Sequence, residues 1–340
     1  MAKVTIADIA RESQVSVTTV SRYLNGNYGK MSAATRTRVQ ETIERLDYHP
    51  NASAQRMRQQ HTHIVGVIVA DISNVFSSLL FKGIYNELEP AGYDVMLMNS
   101  NNSLGEEHDD IDRLLSQRAD GLIIQPNART AAAYESVISA RKPLVLVDRE
   151  PDERPAGISQ IVADNSESCH RLGLELAQRG YDNIVVCSRI RSEISAQTKR
   201  VEGFRAAAEE SHRFMVHIEV ASNDVDWLTR ELSVTLGHLH GRTVVISLMG
   251  PLLFDLLAAL RTLDITFPDD IGLVSFDDWQ WSQYVRDGIY LLEQDPQALG
   301  QAAARNLLDQ IRAGSSPDGD PYAASDVITL PVRTVSAPSI

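Results

Sequence analysis

From Ile64 onward the chain alternates short, β-branched apolar runs with helix-length amphipathic stretches, and this alternation constrains the fold more than any other feature. The runs lie at 64–69, 95–98, 121–124, 144–147, 184–187, 216–220, 243–248 and 272–276, with helix-length segments such as 78–92, 107–118, 166–179, 200–210, 227–240 and 252–263 between them. Strands buried on both faces and separated by helices build parallel, doubly wound sheets, because each crossover helix covers a sheet face. The runs are too many for one ordinary sheet, so two similar lobes are expected. Asp164-Asn165 and Asp295-Pro296 read as crossovers between them. Ligands in such folds bind beyond the carboxyl ends of strands, here in the cleft between the lobes.

The first fifty residues follow a different period. Thr5 with Asp8 three residues later is a helix start, and Ile6, Ile9 and Ala10 share one face to about Ser13. Ser16 caps a second helix through Leu24, with Val20 and Leu24 inward, and Asn25-Gly26 ends it. Ser32 caps a third, whose inward stripe is Val39, Ile43 and Leu46, closing before Pro50. Two short helices joined by a tight turn and braced by a third make a helix-turn-helix unit, whose second helix lies in the major groove. Its outward residues Val17, Thr18 and Arg22 suit base edges: a thymine methyl, either base type, and guanine O6/N7. Ser16, Thr19, Ser21 and Asn25 suit phosphates, which position without specifying.

Charge supports this division. Net charge is −13, yet residues 1–60 hold nine Lys/Arg against five Asp/Glu, a net of +4 that leaves −17 for the rest. A basic head on an acidic body confines phosphate contact to the head, although charge alone fits a solvated basic face equally well. No run of eighteen apolar residues is present, so no membrane span is expected. The N-terminus, with Lys3 and Asp8 and no apolar core, is not that of a secretory signal. Cys169 and Cys187 form no disulfide or metal spacing, which suits a reduced cytoplasmic setting.

Val4-Thr-Ile-Ala-Asp-Ile-Ala, Val15-Ser16, Thr19-Val-Ser-Arg22, Leu24-Asn25, Thr35-Arg36 and Leu46-Asp-Tyr-His-Pro-Asn51 together resemble the headpiece of the LacI/GalR family of transcriptional regulators. Two features depart from the family pattern. Gln14 stands where Gly is usual in the turn, at a cost of about 1 kcal/mol if its φ is positive. The loop Gly26-Asn-Tyr-Gly-Lys30 is slightly longer than in lactose-repressor-type members. The resemblance implies an all-α headpiece at 1–50, a hinge at 51–63 and a type I periplasmic-binding-protein-like core at 64–340. Its N-lobe is placed at 64–163 and 295–326, its C-lobe at 164–294 and 327–340. DNA contacts are implied for Thr5, Asn51, Ala54 and Met57 as well. Small Ala52 and Ala54 would let two hinge helices approach, and Met57 stands where the family carries a minor-groove wedge. Without the resemblance, the hinge reads as a polar linker.

The strand-end rule and the family pattern converge on an effector site. Asp71, Asn74 and Phe76 follow the first run, Asp148 and Arg149 the fourth, and Asp277 and Trp279 a later one; Arg200, Trp227 and Gln294 match family contact positions. Carboxylates and amides bind hydroxyls, Arg forks onto carboxylates, and aromatic rings cover sugar faces. Asp71 and Asp164 also read as helix caps, Trp227 and Trp279 as core residues, and Arg149 and Arg200 as partners of Asp148 or Glu202. Ser247-Leu-Met-Gly250 departs from the family, which commonly has an Asn-Asp pair there. Asp71-Ile-Ser-Asn74, Asn99-Ser-Asn-Asn-Ser103, Asp148-Arg149 and Glu293-Gln-Asp295 resemble KdgR-type members, associated with hexuronate or ketogluconate catabolism.

An enzyme would need a catalytic constellation, and the chain has no Gly-rich phosphate loop, Gly-x-Ser-x-Gly elbow or His-Glu-x-x-His pair. No cofactor or metal is expected. A sugar-binding protein without DNA binding would explain the clamp and leave the head unexplained. The expectation is a cytoplasmic repressor of a carbohydrate or sugar-acid operon, its partners a palindromic operator duplex, a small-molecule effector and a second copy of itself. A dimer rather than a tetramer is expected, because 332–340 carry no heptad tail.

Overall fold

The computed structural model describes residues 4–29, 31–48, 61–189, 195–220, 224–277, 281–315, 319–322 and 326–340. It divides into two compact units, Met1–Thr62 and His63–Ile340.

The first unit holds α1 (Ile6–Glu12), α2 (Val17–Leu24) and α3 (Ala33–Arg45), each started by a local cap. Thr5 and Asp8 form a reciprocal capping box, and the Ser16 and Ser32 hydroxyls accept from the amides of Thr19 and Thr35. Ile9, Ala10, Val20 and Val39 are the buried centre, with Ile43 and Leu46 packed against it. Gln14, in the turn between α1 and α2, takes φ 54°, so the non-glycine strain expected there is present.

The second unit contains β1 (Ile64–Val69), α4 (Val75–Leu88), β2 (Asp94–Asn99), α5 (Leu104–Ser116), β3 (Gly121–Ile124), α6 (Glu135–Ser139), β4 (Leu144–Val147), β5 (Ser159–Ala163), α7 (Asn165–Gln178), β6 (Asn183–Arg189), α8 (Ser195–Glu210), β7 (Phe214–Val220), α9 (Val225–His238), β8 (Thr243–Ser247), α10 (Gly250–Thr262), β9 (Gly272–Phe276), β10 (Tyr290–Glu293), α11 (Pro296–Gly314), β11 (Val327–Leu330) and β12 (Arg333–Val335). The strands form two six-stranded sheets, ordered β11-β5-β4-β3-β1-β2 and β12-β10-β9-β8-β6-β7. The first is parallel throughout; in the second, β12 runs antiparallel to β10. The strand next to one edge of each sheet, β1 and β6, is paired on both sides through apolar or glycine positions: Val65 with Val95 and Gly121, and Val185 with Val216 and Val245.

The chain crosses between lobes after β5, after β10 and again after β11. The last crossing lies later than the sequence reading places it. Val327–Leu330, assigned to the C-lobe from sequence, pairs in register with β5 of the first sheet, Ile328 opposite Ile161. A four-residue strand, Val-Ile-Thr-Leu, gives no lobe preference of its own; the ladder with β5 supplies it.

Each lobe is clamped by a close helix pair. A Cβ on Gly300 of α11 would meet the Leu80 carbonyl of α4 at 2.2 Å, and one on Gly203 of α8 would meet the Ser166 carbonyl of α7 at the same distance. Backbone therefore packs on backbone in both lobes, which fixes where the strand ends point.

Candidate DNA-reading surface and effector cleft

On α2 the residues predicted to meet bases face solvent. Val17 is 40% exposed, and Thr18 and Arg22 are exposed beside it. The Arg22 guanidinium makes no hydrogen bond or ion pair among the described residues, whereas those of Arg11 and Arg45 are held by Asp8 and Glu12. Ser16 and Thr19 share a 2.9 Å hydroxyl contact at the α2 N-terminus, where the positive end of the helix dipole favours a phosphate. Ser21 is half-buried, and exposed Asn25 is the C-cap. Thr5 is exposed, but its hydroxyl already donates to Asp8 at 2.7 Å. The sequence reading gave Tyr28 no role. It lies edge-on to Tyr23, with the Arg36 guanidinium 4.0 Å from its ring centroid, a stack that orders the long loop. Asn51, Ala54 and Met57 lie outside the described residues, as does Trp279.

Between the lobes, Asn74, Phe76, Asp148, Arg149, Arg200, Asp277 and Gln294 come together around a cavity of about 60 Å³. Strand ends place them. Asp148 follows β4 and Asp277 follows β9, both at positive φ, which turns each carboxylate off its sheet into the cleft. Asn74 caps α4, accepting from the Phe76 amide at 3.1 Å. Asp148 accepts from the Gln125 amide at 2.7 Å, and Asp277 accepts from both the backbone and side-chain N–H of Gln294 at 2.7 Å. Burial raises both carboxyl groups: Asp277 is pushed up to about 6 even with the Arg200 charge pulling it down, and Asp148 is raised with Arg149 opposing.

The two arginines are differently held. Arg149 donates to Asn127 and Asn102 at 2.7 and 2.9 Å, with its Nε 4.0 Å from Asp148. Arg200 is 4% exposed; Nε donates to Asn165 and Nη1 to the Leu248 carbonyl, both at 2.7 Å, while the guanidinium lies 3.7 Å from the Phe276 centroid. Burial lowers its basicity, countered first by Asp277. Neither arginine pairs with Glu202, which is exposed. Across the cleft, Lys199 pairs with Glu150, and the Glu150 amide donates to the Ser195 hydroxyl at 2.7 Å.

Two predicted residues stand apart. Asp71 accepts from the Ser73 amide and hydroxyl, capping its own turn, and does not line the cavity. Trp227 packs against the Leu228–Leu232 side of the C-lobe core. Neighbours without a role in the sequence reading are Gln125, Ala196, Gln197 and Pro251, and Met249-Gly250, where the chain departs from the family pattern, lines the cleft as well. Gln125 directly follows β3, so the strand-end rule applied to every strand would have found it.

A larger cavity, about 290 Å³, lies on the first lobe under α5. Its buried carboxylate, Glu107, already accepts from the Asn127 and Ala128 amides and the Tyr134 hydroxyl. That cavity is a support for Asn127, and through it for Arg149, rather than the seat of the chemistry.

Residues 5–51 match the family of bacterial regulatory proteins named for LacI, and 62–235 match the periplasmic binding proteins and sugar binding domain of LacI family. The chain belongs to the LacI family. Residues 174–336 also match a periplasmic binding protein-like domain. Among LacI-family relatives, the HTH-type transcriptional regulator PtxS of Pseudomonas putida is 30% identical, over 92% of this chain and 91% of its own length. The HTH-type transcriptional regulator KdgR of Bacillus subtilis is 25% identical over 99% and 97%. The structure of the lac repressor dimer bound to operator and the anti-inducer ONPF shares the fold, with TM-score 0.81 and 22% identity across 99% of both chains. This chain is thus a transcriptional regulator with a type I periplasmic-binding-like core. Among the described residues, no helix is long and apolar enough to cross a membrane.

Proposed function

We propose that this LacI-family regulator is a cytoplasmic repressor that reads a palindromic operator as a homodimer and whose grip is set by a carbohydrate or sugar acid in the inter-lobe cleft. The observation that carries the effector half is a buried cleft where two carboxylates and two guanidinium groups converge from both lobes around strand ends. Such a set bonds hydroxyls from several sides and suits a polyhydroxylated ligand. A cavity of about 60 Å³ is far below the roughly 300 Å³ usual for a small-molecule site, so the ligand enters only when the lobes part or wall side chains swing. Entry is therefore coupled to lobe geometry, and a ligand that prefers one geometry shifts the DNA-binding equilibrium by its differential affinity.

A helix-turn-helix reads one half-site, so a palindrome needs two copies. On the C-lobe, Phe254 is 56% exposed and stacks on Trp281 at 4.4 Å, and Tyr284 is 81% exposed. An apolar, aromatic face of this kind fits a second copy of the chain.

Selection of bound sequences from random duplex DNA, followed by anisotropy titration, tests the operator half. Wild type should enrich a palindrome, and Arg22→Ala should cost about 1–3 kcal/mol on it while relaxing choice at one base. Equal losses on the selected and random duplexes would make Arg22 a phosphate anchor. No enriched sequence would contradict operator reading.

A further inference from the structure

We propose that the cleft binds a sugar acid with its carboxylate at the N-terminus of α10 and an adjacent hydroxyl on Gln294, an assignment that rests on the carbohydrate reading above. The helix begins without a cap. Met249, the N-cap, has extended backbone (φ −161°, ψ 147°) and a side chain that accepts no hydrogen bond from the turn. Pro251 has no N–H, and the Leu252 amide is spent on the Met249 carbonyl at 3.1 Å, an oxygen that also accepts from the Ser247 hydroxyl. The amides of Met249 and Gly250 make no hydrogen bond among the described residues, and both residues line the cleft. By contrast, Asn74, Ser103, Asp224 and Asp295 each cap a core helix with a side-chain oxygen.

An open N-terminus alone is no site, but Gln294, which follows β10 of the same lobe and lines the same cleft, supplies a second observation. Gln294 is 6% exposed; its Nε2 is fixed on Asp277, while its Oε1 is buried with no partner. A buried carbonyl oxygen left without a donor is destabilising, and a ligand hydroxyl would satisfy it. Arg200 adds positive charge at the right end. Its Nη1 holds the Leu248 carbonyl, one residue before Met249, and its Nη2 makes no hydrogen bond among the described residues. The cleft is thus polarised: the α10 N-terminus and Arg200 form the anion end, while Asp148, Asp277 and Gln294 accept hydroxyl protons.

The full-length protein is titrated calorimetrically with D-gluconate, 2-keto-D-gluconate and D-galacturonate, each beside the uncharged sugar or polyol of the same skeleton: sorbitol, D-fructose and D-galactose. At least one acid should bind about tenfold or more tighter than its counterpart. Met249→Asp supplies the missing cap and a repelling charge. It should raise the ligand-free Tm by about 1–3 °C and weaken that acid about tenfold, with the uncharged partner changed by less than about threefold. An acid that binds no better than its uncharged counterpart overturns the assignment while leaving the carbohydrate reading intact, and this arm needs no variant. Retained acid affinity in Met249→Asp places the carboxylate elsewhere and also overturns it. If none of the six compounds binds at about 10 mM, the carbohydrate reading itself falls.

Discussion

Asp148 and Asp277 hold equivalent places in the two lobes, one residue past β4 and one past β9, with φ of 68° and 53°. Each leans on a glutamine, but the two glutamines are not equally used. Gln125 donates to Asp148, and its Oε1 accepts from the Ala70 amide at 2.9 Å and the Ser77 hydroxyl at 3.4 Å. Gln294 donates to Asp277 and leaves Oε1 without a donor. The helices that border the cleft differ in the same way, since Asn74 caps α4 and Met249 leaves α10 open. On the N-lobe side Gln125 and Asn74 are engaged within their own lobe, whereas the C-lobe side has an acceptor and two amides to offer. One topology used twice has made a fixed wall and a responsive one.

The sharpest test of that difference is the pair of arginines. Arg200→Ala removes a buried cation between two buried carboxylates and strands the Leu248 carbonyl and the Asn165 side chain. It should cost about 3–5 kcal/mol in urea unfolding. Arg149→Ala loses hydrogen bonds to two asparagines at the cleft edge and should cost about 1–3 kcal/mol. Equal losses would erase the distinction between the walls.

A smaller effect follows from pH. The Asp277 carboxyl titrates near 6 when folded and near 4 when unfolded, so the native state binds more protons between those values. Its contribution is therefore greatest below about pH 4, falls as pH rises to 6, and is flat above. Asp277→Asn, which tolerates the positive φ, should remove a slope worth about 2–3 kcal/mol across that window. Subtracting the variant's stability–pH curve from that of wild type isolates this share from Asp148, which is raised in the same direction. A flat difference curve would mean that Asp277 is not desolvated.

Features set by neighbouring residues were legible in the sequence. The Thr5, Ser16 and Ser32 caps depend on three- or four-residue spacing, and all three helices begin where those residues place them. Most strands with unbroken apolar runs were equally plain, although the run 289–292 that makes up most of β10 was passed over. β5 was not plain, because Ser159 and Gln160 interrupt it; Ser159 is buried against Gln310, 151 residues away. The strand-end rule found both cleft aspartates, since it needs only the end of an apolar run. It could not separate Asp71, whose bond to Ser73 is local, from a ligand contact. Nor does sequence spacing reveal that Arg200 spends two donors on Asn165 and Leu248, partners 35 and 48 residues distant.

The central claim is that the cleft and the DNA-reading head are thermodynamically linked, and linkage is reciprocal. The acid that binds most tightly in calorimetry should be titrated into protein alone and into protein saturated with its selected operator. The account predicts that the two affinities differ by about tenfold or more, with the same factor appearing when operator is titrated with and without the acid. Equal acid affinity for free and operator-bound protein would contradict it.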